Sequence, residues 1–509
     1  MNFDQDLHAI QEMRNAVQKA KAAQQQFQAF SQQEVDRVVK AMADAAYEKS
    51  YELAALAVAE TGLGVTEHKV IKNQLASRDV YQSIRDLKTV GMIHEDRDQK
   101  IVELAAPYGV IAGIVPTTNP TSTAIFKSLI ALKARNAIVF SPHPSAAKCT
   151  IAAANICLQA ALMAGAPEGI IGWISQPTME ATEGLMTHTD INLIIATGGS
   201  PLVKAAYSSG KPAYGVGPGN VPVYIEKTAE ISKAVQRITD SKCFDHGTIC
   251  ASEQAVVVDR NVREMVMREF KNQGAYWLNA EEKRKLEPII SPAPGKLNSK
   301  IVGRSAKVIA EMAGIRVPSE TRLLIAEETQ IGKDIPFSIE KLAPVFAFYT
   351  VDGWEDAAGI CEQLLNLGGR GHTLAIHTTN DEVARAFALR MPVSRIVVNT
   401  PSALGAVGGT TGLKPSFTLG CGSFGGNITS DNLSAHHLMN VKRLAYGTKQ
   451  VDVPVSKAAV PTLSKPASAA TNDEQIAEVV SHVLDKIGNA GDVDKETIVK
   501  LVNQVISQI

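Results

Sequence analysis

YGVIAGIVPTTNPTSTAIFKSLIALKARNAIVFSPHP, Tyr108 to Pro144, carries the pattern that decides the fold. Two short runs rich in Val and Ile, YGVIAGIVP and NAIVFSPHP, flank a stretch from Ala124 to Lys133 that suits a helix. Near-continuous apolar runs of that length read as strands buried on both faces, and the segment between them as the crossover that makes the pair parallel. The unit repeats outward. A helix is expected from Ala146 to Ala164, then strands in GIIGWIS, INLIIATGG and VPVYIE. Beyond Cys250 the strands are ASEQAVVV, LAPVFAFYT, HTLAIHT and SRIVVNT, with helices over 354–366 and 381–389. The expected class is therefore α/β, two parallel-sheet domains meeting near residues 221–250. Residues 5–60 form a helical opening, with Val35, Val38, Val39, Met42 and Ala46 at helical spacing.

The bulk composition narrows the function. The chain has 509 residues, 45% hydrophobic and 20% charged, enough for two or three cores. Lys and Arg number 51 against 52 Asp and Glu, a formal net charge of -1, so no global field draws polyanions and nucleic acid is not an expected partner. No apolar run reaches the roughly 20 residues that span a bilayer, and MNFDQDLHAIQEMR lacks a signal-type apolar region, so a location inside the cell, in the cytoplasm, is expected. Cys149, Cys157, Cys243, Cys250, Cys361 and Cys421 are too sparse for a disulfide framework and offer no CxxC pair, so they read as reduced thiols and no metal is expected.

Two further stretches stand out by composition. LGAVGGTTGLKPSFTLGCGSFGGN, residues 404–427, is glycine dense, with Cys421 in it read as structural. TKQVDVPVSKAAVPTLSKPASAATN, rich in Pro, Ser, Ala and Lys, reads as an extended linker. After it, Ile476, Val479, Val480, Val483, Leu484 and Ile487 share one helical face, and Ile498, Leu501, Val502, Val505 and Ile509 repeat the stripe. Short amphipathic helices on a tether cannot bury such stripes alone, so the tail is expected to dock on something.

The chemistry concentrates in CFDHGTICASEQ, Cys243 to Gln254. Cys250 sits between a Gly-Thr turn and a strand at the domain seam, where it reads either as a nucleophile or as a small buried hydrophobe. His246 is a base in reach or a capping residue. In IIATGGSPLVKAA a strand passes through Gly198, Gly199 and Ser200 into a helix, a dinucleotide cradle or a tight connection; it has no GxGxxG. In IVPTTNPTSTAIFKS, Thr118 and Asn119 donate to an oxyanion or cap the following helix. Ligands of such sheets are expected at the carboxyl ends of strands.

PTTNPTST, ATGGSPLV, GVGPGNVPVYI, FDHGTICASEQ, IEKLAPV and GHTLAIHT, in this order, resemble the CoA-acylating aldehyde dehydrogenases of the aldehyde dehydrogenase superfamily, including the propionaldehyde and acetaldehyde dehydrogenases of bacterial microcompartments. The resemblance covers roughly residues 5 to 447. It implies a Rossmann-like cofactor domain at 1–221 with the N-terminal helices, a catalytic thiol domain at 222–412, a return to the cofactor domain with an oligomerisation arm at 413–448, a linker at 449–472 and a tail at 473–509. It implies Cys250 as nucleophile, Thr118 or Asn119 as oxyanion donor and His372 near the site. Cofactor contacts fall to Pro116, Thr117, Ser141, His143, Pro144, Thr197, Gly198, Gly199, Ser200, Val216, Gly217, Glu340 and Leu342, with Glu340 on the nicotinamide ribose.

In hydrolytic relatives a Glu activates water; aligned on Pro222, that position here is Val216, which cannot accept a proton. The implied reaction is oxidation of propionaldehyde or acetaldehyde by NAD, with NADP open, and transfer of the acyl group to coenzyme A. A hydrolytic enzyme and an inactive scaffold are the alternatives. The tail resembles peptides that dock on microcompartment shell proteins, and a homo-oligomer is implied.

Overall fold

Four helices open the chain, Gln5–Phe27, Gln32–Glu48, Ser50–Thr61 and Thr66–Gln74. The second is started by a capping box, the Ser31 hydroxyl taking the Glu34 N–H while the Glu34 carboxylate takes the Ser31 N–H, and it buries Val35, Val38, Val39, Met42 and Ala46 on one face. The computed structural model describes residues 4–453 and, beyond them, Ala477, Ser481, Asp494, Glu496 and 498–500. Met1–Tyr446 form one compact unit and Gly447–Ile509 a second. Residues 447–453 of the second adopt no regular element, while most of the expected linker and, apart from Ile498, both amphipathic stripes lie outside the described residues.

An antiparallel pair, β1 (Gly91–Asp96) and β2 (Ile101–Pro107), follows the helices. Five parallel strands come next: β3 (Val110–Val115), β4 (Ala137–Pro142), β5 (Ile171–Trp173), β6 (Ile191–Thr197) and β7 (Ala213–Val216), in the order β5-β4-β3-β6-β7. Every residue of β3 and β4 is buried, which is why both read as unbroken apolar runs. The crossover between them is the helix Pro120–Lys133, itself buried along its length. The helical segment Pro144–Met163 is long and apolar enough to span a membrane, yet it lays Ala153, Ala154, Cys157 and Ala161 into the core beside this sheet.

The second parallel sheet has seven strands: β8 (Val221–Ile225), β9 (Glu253–Asp259), β10 (Ala275–Trp277), β11 (Leu323–Glu327), β12 (Val345–Val351), β13 (Gly371–His377) and β14 (Val393–Val398), ordered β10-β11-β12-β9-β8-β13-β14. Its centre is packed on both faces, with Tyr224, Val257 and Ala347 towards one core and Val223, Val256 and Phe346 towards the other, the alternation a period of two requires. The chain then returns as β15 (Met439–Ala445), which pairs antiparallel with β2. Only Gly217 to Asn220 separate β7 in one parallel sheet from β8 in the other.

Candidate active site

The two parallel sheets contribute opposite ends to one place. From the five-stranded sheet come carboxyl ends: Thr118 and Asn119 after β3, Thr197 closing β6, Val216 closing β7. From the seven-stranded sheet come amino ends: Gly219 before β8, Cys250 before β9, His372 as the second residue of β13. The expectation that ligands meet carboxyl ends therefore fails for Cys250. β9, β8 and β13 are neighbours in parallel register, so the three residues that precede or open them are brought side by side.

Cys250 Sγ and His372 Nε2 are 3.2 Å apart, and His372 Nδ1 lies 3.0 Å from Thr373 Oγ1. A proton on Nδ1 donates to that hydroxyl and leaves Nε2 to accept from the thiol. The partner of Cys250 is thus His372 rather than His246, which the sequence places closer. Burial pushes the Cys250 thiol up to about 12, helped by the Glu340 carboxylate. Burial and then the Arg395 guanidinium lower His372 to about 3. Both directions favour a neutral S–H···N pair at rest over a thiolate–imidazolium pair. Arg395 also supports the imidazole mechanically, donating to the carbonyl oxygens of His372 (3.0 Å) and Gly420 (2.7 Å).

Gly219 is small for a reason local to this pair. A Cβ there would lie 2.5 Å from the Cys250 carbonyl oxygen and 3.0 Å from His372 Cγ. Gly219→Ala is expected to push the two apart and lower turnover by about 10²-fold, the cost of an ångström of misplacement at a reacting pair, and to lower the thermal unfolding temperature as well, because the atom met first is backbone. Steady-state rates beside a melting curve check this.

Glu340 Oε1 accepts from the Gly219 N–H at 2.9 Å, and burial raises its carboxyl to about 7. A half-buried carboxylate held by one amide suits ribose hydroxyls, which would replace the water it has lost. Around the turn at Thr197 the N–H of Gly198 is spent on the Val216 carbonyl (3.3 Å), and the helix Ser200–Ser208 begins with Gly199 as its cap. A side chain at Gly217 would meet nothing within 4 Å, so there is room for a ligand. The fit to a dinucleotide is therefore favourable at Glu340 and Gly217, while at the 197–200 turn the Gly198 N–H is already used.

The other expected cofactor residues are spread. Pro116 and Thr117 are half-buried beside Thr118, and Leu342 is half-buried with a left-handed backbone (φ 47°) two residues past Glu340. His143 and Pro144 are exposed beyond β4, while Ser141 is buried and shares a hydrogen bond with Thr182 (2.8 Å).

A buried ionic cluster that sequence reasoning missed lies behind the nucleophile loop. Lys69, Lys72 and Asp245 are 2%, 2% and 0% exposed, and both ammonium groups meet Asp245 Oδ2, Lys69 at 2.9 Å. Burial would raise Asp245, but Lys72 and Lys69 outweigh it and hold the carboxyl at about 2. Asp245 and His246 both take left-handed backbone, φ 50° and 51°, a strain of roughly 1–3 kcal/mol each. The conformation is held by His68 Nδ1 on the Asp245 N–H (2.8 Å) and by the Val65 N–H on Asp245 Oδ1 (2.7 Å). The available signal was EHKVIK, in which Lys69 and Lys72 stand three apart on one helix face.

Asp431, His436 and His437 bring possible metal-ligand atoms within 4.8 Å of one another. However, the Ser434 N–H occupies His437 Nδ1 (3.1 Å), which puts the ring proton on Nε2, pointing at Asp431 Oδ2 (3.1 Å). That tautomer has no lone pair left for an ion.

Residues 7–434 match the family model described as the aldehyde dehydrogenase family. The chain is 49% identical over 441 residues to the bifunctional aldehyde-alcohol dehydrogenase of Escherichia coli (strain K12), covering 86% of this chain and 49% of that protein. It thus spans about half the length of that curated relative. Among solved structures, an acetylating aldehyde dehydrogenase from Geobacillus thermoglucosidasius superposes with a TM-score of 0.87 at 57% identity, covering 88% of this chain and 99% of that one. A propionaldehyde dehydrogenase from the Clostridium phytofermentans fucose utilisation bacterial microcompartment gives 0.79 at 30% identity, covering 86% and 97%.

Proposed function

Because this chain belongs to the aldehyde dehydrogenase family, we propose that it oxidises propionaldehyde or acetaldehyde to the acyl-CoA with reduction of NAD, through a thioester on Cys250. The observation that carries the reading is the Cys250–His372 contact at 3.2 Å. Val216, where hydrolytic relatives place a carboxylate, turns the same pair towards thiol rather than water. In this reading residues 1–221 bind the cofactor and 222–412 supply the thiol.

The Cys250 sulfur bonds to the carbonyl carbon, the π pair moves to oxygen, and the thiol proton passes to His372 Nε2 and on to water. Thr118, Asn119 and the Cys250 N–H are the donors available to the oxyanion. As the carbonyl reforms, its hydrogen leaves with the electron pair; accepting that hydride is the chemistry NAD would supply when bound, and Glu340 and the 197–200 turn are the residues that would hold it. The coenzyme A thiol then attacks the thioester, gives its proton to His372, and Cys250 leaves and takes that proton back. Val216 supplies no carboxylate, so water lacks the second base that hydrolytic relatives place there, while the more nucleophilic coenzyme A thiol needs only His372.

NADH formation from propionaldehyde should therefore require coenzyme A, and acyl-CoA should appear in equal amount. Equal rates without coenzyme A, giving free acid, would replace this reading with the hydrolytic one. No turnover under any condition would leave a scaffold. The chain is further read as a homo-oligomer whose tail, 473–509, docks on a microcompartment shell protein. The relative from a fucose utilisation microcompartment and the repeated apolar stripe of the tail support this.

A further inference from the structure

Lys72 reaches two parts of the site at once. Its Nζ lies 2.6 Å from Asn119 Oδ1 and 2.9 Å from Thr248 Oγ1, besides its contact with Asp245. One ammonium thus ties the turn after β3 to the loop that delivers Cys250 two residues later. Lys69, one turn of the helix Thr66–Gln74 away, reaches the Thr118 carbonyl oxygen (3.1 Å) and the same Asp245 but not the Asn119 amide.

An ammonium has donors only, so the end of the Asn119 amide that faces it must be the oxygen. The other end is then Nδ2, which lies 3.1 Å from Thr118 Oγ1 and keeps a second N–H to give. Asn119 stands at the N-cap position of the helix Pro120–Lys133, yet its side chain makes no capping bond there. A capping Asn would turn its oxygen to the helix amides; Lys72 takes that oxygen instead. The cluster also holds two ammonium groups against one carboxylate, so positive charge remains beside the Asn119 amide, where it favours an anion on the donor side.

We propose that Lys72 is a positioning residue that captures Asn119 Oδ1 and thereby makes Asn119 Nδ2 the side-chain donor to the oxyanion formed at Cys250. This rests on the thioester reading above. Thr118 Oγ1, accepting from Nδ2 at 3.1 Å, fixes the same amide from its other end and keeps its own O–H.

Two reactions of the same sulfur separate positioning from mere support. Acylation by p-nitrophenyl acetate passes through an oxyanion, whereas alkylation by iodoacetamide does not. Lys72→Met is expected to slow p-nitrophenyl acetate acylation, and propionaldehyde turnover of the full chain with NAD and coenzyme A, by about 10²-fold each. Alkylation should stay within about threefold, a loss of under 1 kcal/mol at 1.4 kcal/mol per tenfold. The double variant Lys72→Met/Asn119→Ala should be no slower than Asn119→Ala alone.

Parallel loss of acylation and alkylation, or losses that multiply in the double variant, would overturn the assignment. Should Lys72→Met fail to fold, Asn119→Asp keeps an oxygen for Lys72 but has no N–H, and the same split is expected of it. If the unaltered protein forms no acetyl adduct at Cys250, the thioester reading falls and this inference with it. If it forms the adduct and the variants match it in rate, only the role of Lys72 falls.

Discussion

Cys250→Ser should cut NADH formation from propionaldehyde by at least about 10⁴-fold while leaving the fold intact, since removal of a nucleophile alone costs that much in enzymes of covalent mechanism. The hydroxyl is nearly the same size and can still donate to His372, so the 3.2 Å contact survives in kind. What is lost is chemistry: an alcohol is a far weaker nucleophile than a thiol beside a weak base, and an ester would be a poorer acyl donor to coenzyme A. Intact-mass measurement after incubation with p-nitrophenyl acetate gives the second reading, an added acetyl group on the unaltered chain and none on the variant. A variant that retained more than about a tenth of the activity would remove Cys250 from the reaction, whatever its place beside His372.

The second large effect is expected at His372. Replacing it by Ala should lower propionaldehyde turnover by about 10³-fold, within the range a positioned base contributes, and should change the pH profile more tellingly than the rate. In the resting protein His372 is lowered to about 3 and Cys250 raised to about 12, so across pH 6–9 the pair holds one proton and it sits on sulfur. Neither group titrates in that window, and these two contribute a flat profile. Without the imidazole, attack needs free thiolate. Its fraction below a raised pKa grows tenfold per pH unit, so relative to the unaltered protein, which shares the titration of Glu340 at about 7, the variant should gain about tenfold per unit from pH 6 to 9. A flat profile in the variant would show that the proton leaves Cys250 by another route.

The α/β class was legible in Tyr108–Pro144 because β3 and β4 are buried on both faces, and burial on both faces writes an unbroken apolar run. β10 and β11 were not legible. β10 is three half-buried residues, and β11 is five residues set among charged and polar neighbours, so neither imposes a period on the sequence. β7, though mostly buried, escaped because it is four residues long, and the hairpin partners β1 and β2 because their faces are partly open.

At the site, Cys250 and the 118–119 turn could be nominated because each adjoins a recognisable strand. His372 came only with the resemblance, since proximity along the chain pointed to His246. The order of strands in the sheet, which sets β13 beside β8 and β8 beside β9, decides the matter, and no local pattern encodes that order. Lys69 and Lys72 were invisible for a different reason. Lysines on a helix are ordinarily solvated, and only the folded arrangement reveals the single carboxylate that both of them share.

The neutral state of the resting sulfur has a bearing on survival between turnovers. Peroxide and electrophilic metabolites attack thiolates, and the ladder from sulfenic to sulfonic acid is climbed by cysteines that are ionised and accessible. Here the charge on sulfur is deferred until a carbonyl is at hand to receive it, so an idle enzyme presents oxidants with a sluggish target. The sulfur is thereby spared indiscriminate damage between encounters with a carbonyl.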